Sequence, residues 1–155
     1  MNLIFLDIDG VLNSHRKLIE VYNKTHKPHS GYNYPFDELC LENLKTLVEA
    51  TNSKIVITST WRKDKEGRDK LIQALKEYEL DQHIIGYTPI LNQPRGIEIK
   101  EYLATLEHQP NFIILDDDTD MESLIDYLIK TNIQVGLTKE NIEEAIIKLT
   151  KKRRN

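Results

Sequence analysis

Cysteine is almost missing from this chain. Cys40 is the only one among 155 residues, so no disulfide can form within the chain, and a reducing compartment suits it. Nothing in the sequence approaches the apolar length of a membrane span. The apolar start stops at Leu6 and has no basic leader, so it does not read as a secretory signal. Internal repeats and low-complexity linkers are absent. A large positive excess is lacking too. The formal charge is -4, which does not suggest a general nucleic-acid binder and leaves affinity for polyanions to local patches. What remains is ordinary for a globular protein, at 39% hydrophobic and 30% charged residues. The expectation is one soluble, cytoplasmic domain over residues 1–155.

Five segments read as strands: Asn2–Ile8, Lys54–Ser59, His83–Tyr87, Asn111–Asp116 and Asn132–Leu137. The runs LIFL, IVI and FIIL are continuously apolar, as in central parallel strands covered on both faces. Helical stripes lie between them. One holds Leu41, Leu44, Leu47 and Val48, with Asp37 as N-cap and Phe36 as a staple onto Leu41. Others hold Leu71 and Leu75, Ile99 and Leu103, and Ile142 and Leu149. A further stripe runs Met121, Leu124, Ile125, Leu128. Strand and helix alternate, so the expected fold class is α/β, three layers about a parallel sheet with right-handed crossovers. The exception is a flap-like insert at residues 13–36, with a short helix expected from Ser14 to Lys24.

Ligands of open parallel sheets sit beyond the carboxyl ends of the strands. Three expected strand ends are polar in a way that a core does not require. They carry Asp7 and Asp9, then Thr58-Ser59-Thr60, then Asp116-Asp117-Asp118. Brought together, these carboxylates keep their charge only around a cation. Hard oxygen ligands suit Mg²⁺. A phosphate held there needs a second cation, which Arg95 or Lys100 can supply just before or within a helix. Gly10 lets the backbone approach closely, so that loop N–H groups can meet phosphate oxygens.

These residues resemble the haloacid dehalogenase (HAD) superfamily of phosphatases. "DIDGVLN" is similar to the first motif of that family, DxDGxL. "IVITS" resembles the second, a strand ending in Thr or Ser. Arg95 takes the place of the third, where Lys is commoner, and "FIILDDDTD" resembles the fourth. More narrowly, "ITSTWR", "PRGIEI", "ILDDDTDM" and "GLTKENIEEAI" resemble the small HAD domain of Swiss Army knife RNA-repair proteins. The resemblance implies a Rossmann-like fold with a minimal cap and a Mg²⁺-dependent phosphomonoester phosphatase working through an aspartyl-phosphate. Asp7 is then the nucleophile and Asp9 the acid and base. Thr58 binds a phosphoryl oxygen, and Arg95 steadies charge. The metal is held by Asp7, Asp9 through its carbonyl, and one of Asp116 or Asp117. Gly10, Ser59, Arg62, Arg16 and Lys17 are the candidate substrate contacts.

HAD enzymes with minimal caps tend to accept large substrates, so this and the narrower resemblance imply a phosphorylated polynucleotide end as the expected partner. The alternatives are a nucleotide or other small phosphate ester, or a module that is non-catalytic or only accepts a phosphoryl group. The insert carries Arg16, Lys17, Lys24 and Lys27 against Glu20 alone, and reads either as a solvated loop or as a basic flap steering polyanions. The tail KKRRN is basic as well and reads as a disordered terminus. Asp118 and Asp120 read as helix caps, Trp61 as a packing residue and Cys40 as inert. Arg62 fits either a surface pair or a substrate contact.

Overall fold

Strand β1 (Asn2–Leu6) is apolar on both of its faces. Successive side chains of a strand point to opposite sides of the sheet. Ile4 and Leu6 therefore enter one core, and Leu3 and Phe5 enter another. Such a strand must be covered twice. The computed structural model describes residues 1–151 and contains the sheet that this pattern demands. β1 is joined by β2 (Ser53–Ile57), β3 (Ile84–Tyr87), β4 (Asn111–Asp116) and β5 (Leu128–Lys130). Their order is β3-β2-β1-β4-β5, and every pairing is parallel. The strand order reverses at β1, between β2 and β4, where a crevice opens beyond the carboxyl ends.

Helices α2 (Glu38–Thr51), α3 (Lys65–Lys76) and α5 (Lys139–Thr150) cover the Ile4 face. They contribute Leu44, Leu47, Leu71, Leu75 and Ala145 to its core. Helix α4 (Arg95–Ala104) and a 3-10 helix at Glu122–Tyr127 cover the Leu3 face through Ile99, Leu103 and Leu124. The result is a three-layer, Rossmann-like α/β fold. Asp37 caps α2 by accepting from the Leu39 N–H at 3.0 Å. Phe36 packs onto the core cluster that contains Leu41 and meets Trp61 edge to face. Cys40 is buried, and burial pushes its thiol up to about 12, so it stays protonated and inert near neutral pH.

The last strand is where the structure departs from the expected one. It lies at Leu128–Lys130 rather than Asn132–Leu137, and residues 132–136 form a loop pinned by an Asn132–Gly136 bridge. The stripe from Met121 to Leu128 mimics a helix face, but no α-helix forms there. Leu128 is needed in the sheet opposite Ile114, and Ile129 opposite Leu115. The apolar residues are thus divided between a tight turn and a strand, and Ile125 is left exposed. β1 and β2 also stop short of their expected ends, at Leu6 and Ile57. The Asp7 N–H still bonds the Leu115 carbonyl at 3.0 Å. Beyond it the Val11 and Leu12 N–H groups turn back onto the Ile8 carbonyl. The insert holds α1 (His15–Thr25), capped by Ser14, and a 3-10 turn at Gly31–Asn33. An Asn13–Phe36 bridge closes its base.

Candidate active site

Three strand ends and one helix start meet on a single nitrogen. Arg95 Nη1 lies 3.1 Å from Asp7 Oδ1 and 3.0 Å from Asp116 Oδ2. It lies 3.3 Å from Thr58 Oγ1, to which it donates. Arg95 is the first residue of α4, and the loop after β4 fixes that helix end. The Arg95 N–H donates to Asp120 Oδ2 at 3.2 Å, and the Gly96 N–H to the Asp120 carbonyl at 3.0 Å. Gly96 sits so close to the Met121 main chain that a Cβ there would overlap it. Glycine is what lets α4 come down onto the loop and aim Arg95 inward.

Asp7, Asp116 and Asp117 each offer a carboxylate oxygen within 4.8 Å of the others. One guanidinium does not offset three such charges. Burial raises the Asp7 carboxyl, with Arg95 working against it. Burial, then the charge of Asp7, pushes the Asp116 carboxyl up to about 8. Asp116 is already engaged, since Oδ1 accepts from the Asp118 N–H at 2.9 Å and Oδ2 accepts from Arg95. The Asp117 carboxylate has no hydrogen-bond or ion-pair partner among the described residues. Gly10, at φ 79, lies against that carboxylate, and a Cβ there would collide with it. An all-oxygen cluster of this kind, two of its members destabilised as anions, fits a hard divalent cation. Asp7 and Asp117 would hold the ion, with Asp116 orienting Arg95.

Asp117→Asn should therefore act with opposite signs in two conditions. In EDTA it removes a like charge, and the protein should be as stable as the wild type or more so. With Mg²⁺ at about a hundred times its Kd, the wild type should gain ~2.7 kcal/mol, and Asp117→Asn should gain far less. The pH dependence follows the raised pKa of Asp116. A carboxyl raised in the folded state binds its proton more tightly than in the unfolded chain, so its charge costs stability above about pH 8. That cost is relieved as pH falls toward the ordinary carboxylate range. Melting curves with EDTA and with Mg²⁺ from pH 5 to 8.5 read both effects. Equal Mg²⁺ stabilisation of the wild type and Asp117→Asn would place the ion elsewhere.

Asp9 is exposed, and its carboxylate is held from two sides. Asn13 Nδ2 donates to Oδ1 at 2.8 Å, and Trp61 Nε1 donates to the two oxygens at 3.2 and 3.3 Å. Asn13 Oδ1 also accepts the Gly10 N–H at 2.9 Å, closing the turn. Thr131 Oγ1 donates to the Gly10 carbonyl at 2.7 Å. Asn13, Trp61 and Thr131 are absent from the sequence-based candidates. Asn13 carried a local signal, because an Asn three residues after a turn glycine can close that turn. Trp61 and Thr131 carried none, since only the fold brings them to the first loop.

A family model for the HAD domain in Swiss Army Knife RNA repair proteins matches residues 3–142. The chain belongs to this family of HAD domains. Neither the curated proteins nor the solved structures compared with it gave a match. The matched span runs from β1 into α5 and so includes every strand end of the HAD sheet. Membership points to hydrolase chemistry of the phosphatase kind related to RNA repair.

Several expected substrate contacts of the HAD domain are otherwise engaged. The Gly10 N–H donates to Asn13 Oδ1, which leaves phosphate contacts of this loop to its other N–H groups. Ser59 is buried, and its hydroxyl oxygen accepts the Trp61 N–H at 3.2 Å. Arg62 is 3% exposed. Its guanidinium donates to the carbonyls of Thr58, Ser59, Thr88 and Pro89 and to Glu98 Oε1. With every arm satisfied by protein it is an internal strut, neither a surface pair nor a substrate contact. Arg16 pairs with the buried Asp37 at 2.6 Å. Lys17 pairs with Glu38 at 2.9 Å and Glu20 at 3.5 Å, and Lys24 with Glu20 at 3.4 Å. The local positive excess of the insert is thus largely met by acids at the start of α2, outside the insert. Lys100 is exposed. Of the basic tail, residues 152–155 lie outside the described residues.

Proposed function

We propose that the HAD domain hydrolyses phosphate monoesters, with Asp7 as nucleophile. The observation that carries this reading is the convergence of Asp7, Thr58 and Asp116 on Arg95 Nη1. A carboxylate, a hydroxyl and a permanent cation are thereby gathered where strand ends meet. The attacking Asp7 oxygen bonds to phosphorus as the bond from phosphorus to the leaving oxygen breaks. Asp9 gives its proton to that leaving oxygen. It then takes one from water, whose oxygen attacks the aspartyl-phosphate. Inorganic phosphate leaves and the Asp7 carboxylate is restored. Arg95 and the Thr58 hydroxyl face the phosphoryl oxygens. Asp7, Asp117 and, as the family resemblance implies, the Asp9 carbonyl would hold Mg²⁺, which would supply positive charge against the phosphoryl group.

The family description supports a phosphorylated polynucleotide end as substrate, with a nucleotide or another small ester as the alternative. A slow phospho-acceptor module is the less favoured reading, because an acceptor has no use for a fixed acid at Asp9. The deciding assay is phosphate release from glycerol 2-phosphate and from phosphorylated oligonucleotides, with Mg²⁺ and with EDTA. Release that needs Mg²⁺ supports the reading, and none from any ester refutes it.

Asp9→Asn tests the division of labour. It should lose ~10²–10⁴ in rate on alkyl phosphates and less on esters with good leaving groups, which need little protonation. Trp61→Phe removes one donor to Asp9 while keeping an aromatic ring. Its loss should share that leaving-group dependence, at smaller size. Equal losses on good and poor leaving groups would argue against the acid role.

A further inference from the structure

The reaction leaves open what departs on the side of Asp9, and the fold has a cavity there. Its volume is about 350 Å³, the lower end of the range for small-molecule sites. Its lining includes Asp9 and Trp61, Tyr32 and Tyr34, and His15 and Ile133. Most of this lining belongs to the insert. His15 and Ile133 are tied together, because the His15 N–H donates to the Ile133 carbonyl at 2.9 Å and the Arg16 N–H to the Gln134 carbonyl at 3.0 Å.

Two of its aromatic residues are fixed and satisfied. Trp61 is committed to Asp9 through Nε1. Tyr32 donates its hydroxyl to Asp64 and meets Trp61 edge to face, with ring centroids 5.2 Å apart. Tyr34 differs. Its hydroxyl is buried and has no hydrogen-bond partner among the described residues. Buried polar atoms are seldom left so, because the lost contact with water is not replaced. An unpaired hydroxyl beside this aromatic lining would suit a ligand that is flat and carries hydrogen-bonding atoms on its edge.

We propose that this cavity seats the base of the leaving nucleoside, with the Tyr34 hydroxyl bonding the edge of that base. The inference rests on the phosphomonoesterase reading, since it takes Asp9 to mark the leaving-group side. A nucleobase has a π-face for the aromatic lining and donors and acceptors around its rim. A bare sugar phosphate would leave the aromatic lining empty. A phosphotyrosine ring would fill it but offers no polar rim to Tyr34. The base is an unpaired one, because a base still in a duplex presents its edge to its partner and not to the protein.

Two measurements test this. Trp61 is the only tryptophan, so its emission reports on the cavity. In the Asp7→Asn protein with Mg²⁺, a nucleoside 3′-phosphate should quench Trp61, and ribose phosphate at equal concentration should not. In the active protein, kcat/KM is compared between a single-stranded 3′-phosphorylated dinucleotide and glycerol 2-phosphate. Tyr34→Phe, which removes the hydroxyl alone, should cut that preference severalfold, the scale of one lost hydrogen bond, and Tyr34→Leu by at least as much. Blunt duplex ends should be poorer than single-stranded ends. Nucleoside monophosphate and longer oligonucleotide arms separate a free nucleotide from a polynucleotide end.

The failures are distinct. If no ester is hydrolysed, glycerol 2-phosphate included, the phosphatase reading falls. If glycerol 2-phosphate is hydrolysed but the nucleotide brings no preference and no quenching, the base pocket alone is overturned. A preference for phosphotyrosine over the dinucleotide, or a preference unchanged in Tyr34→Leu, overturns it as well.

Discussion

Asp7→Asn should lose roughly 10⁵-fold or more of its turnover, the scale on which a covalent nucleophile acts, while remaining folded. Asn keeps the volume of Asp at a position 7% exposed. It also removes a charge that burial already disfavours there. Its amide oxygen can still accept from Arg95, which retains Asp116 as an ion-pair partner. Nothing in the core around Leu6 and Ile8 depends on the charge. Chemistry, however, loses the attacking oxygen and one carboxylate of the metal cluster together. Two readings separate loss of chemistry from loss of fold. Circular dichroism and the melting temperature in EDTA should match the wild type or exceed it. Incubation with substrate followed by acid quench should trap a phosphorylated protein from the wild type and none from Asp7→Asn. A folded Asp7→Asn protein with wild-type turnover would sink the assignment.

The fold was legible wherever one physical signal dominated. LIFL, IVI and FIIL are strands buried on both faces, and no amphipathic alternative competes with them. Asp37 before α2 was readable as a cap because its bond is local. The region after β4 was not. Met121, Leu124 and Leu128 share a helical period, but pairing with β4 overrides it, and that pairing is long-range. The site divides in the same way. Asp7, Thr58, Arg95 and the Asp116–Asp117 pair could be placed together because strand ends of a parallel sheet converge. Residues whose role lies in distant partners carry no such signal. Arg16 and Lys17 of the insert are met by Asp37 and Glu38, which lie outside it. Trp61 looked like packing, which it is, but its one polar atom reaches Asp9.

Arg62→Ala should destabilise the protein by ~3–5 kcal/mol, the cost of breaking a buried ion pair from one side. Arg62 and Glu98 have side chains 2% and 7% exposed and lie 3.0 Å apart. Burial works against the charge on Arg62, and Glu98 works for it. The guanidinium also holds four carbonyls, from Thr58, Ser59, Thr88 and Pro89. It therefore ties the end of β2, the loop after β3 and helix α4 at one point. Glu98 completes the tie by accepting the Leu91 N–H at 2.8 Å through Oε2. Alanine would leave a buried carboxylate without its cation and the carbonyls without a donor. Arg62→Lys keeps a charge but lacks the planar fork, so it should recover only part of the loss. In a double-mutant cycle with Glu98→Gln, the combined change should cost less than the sum of the two single changes, because the stranded carboxylate is then gone. Urea unfolding reads these differences directly. Activity carries the same strut into chemistry. Thr58 sits on the β2 loop and Arg95 begins α4, so loosening the tie separates two groups that now stand 3.3 Å apart. Arg62→Lys, folded at low temperature, should therefore lose kcat more than it raises KM. A variant of Arg62 with wild-type stability would show that the strut bears no strain, and one with lowered stability but unchanged kcat would show that Arg95 is aimed by the Asp120 loop alone.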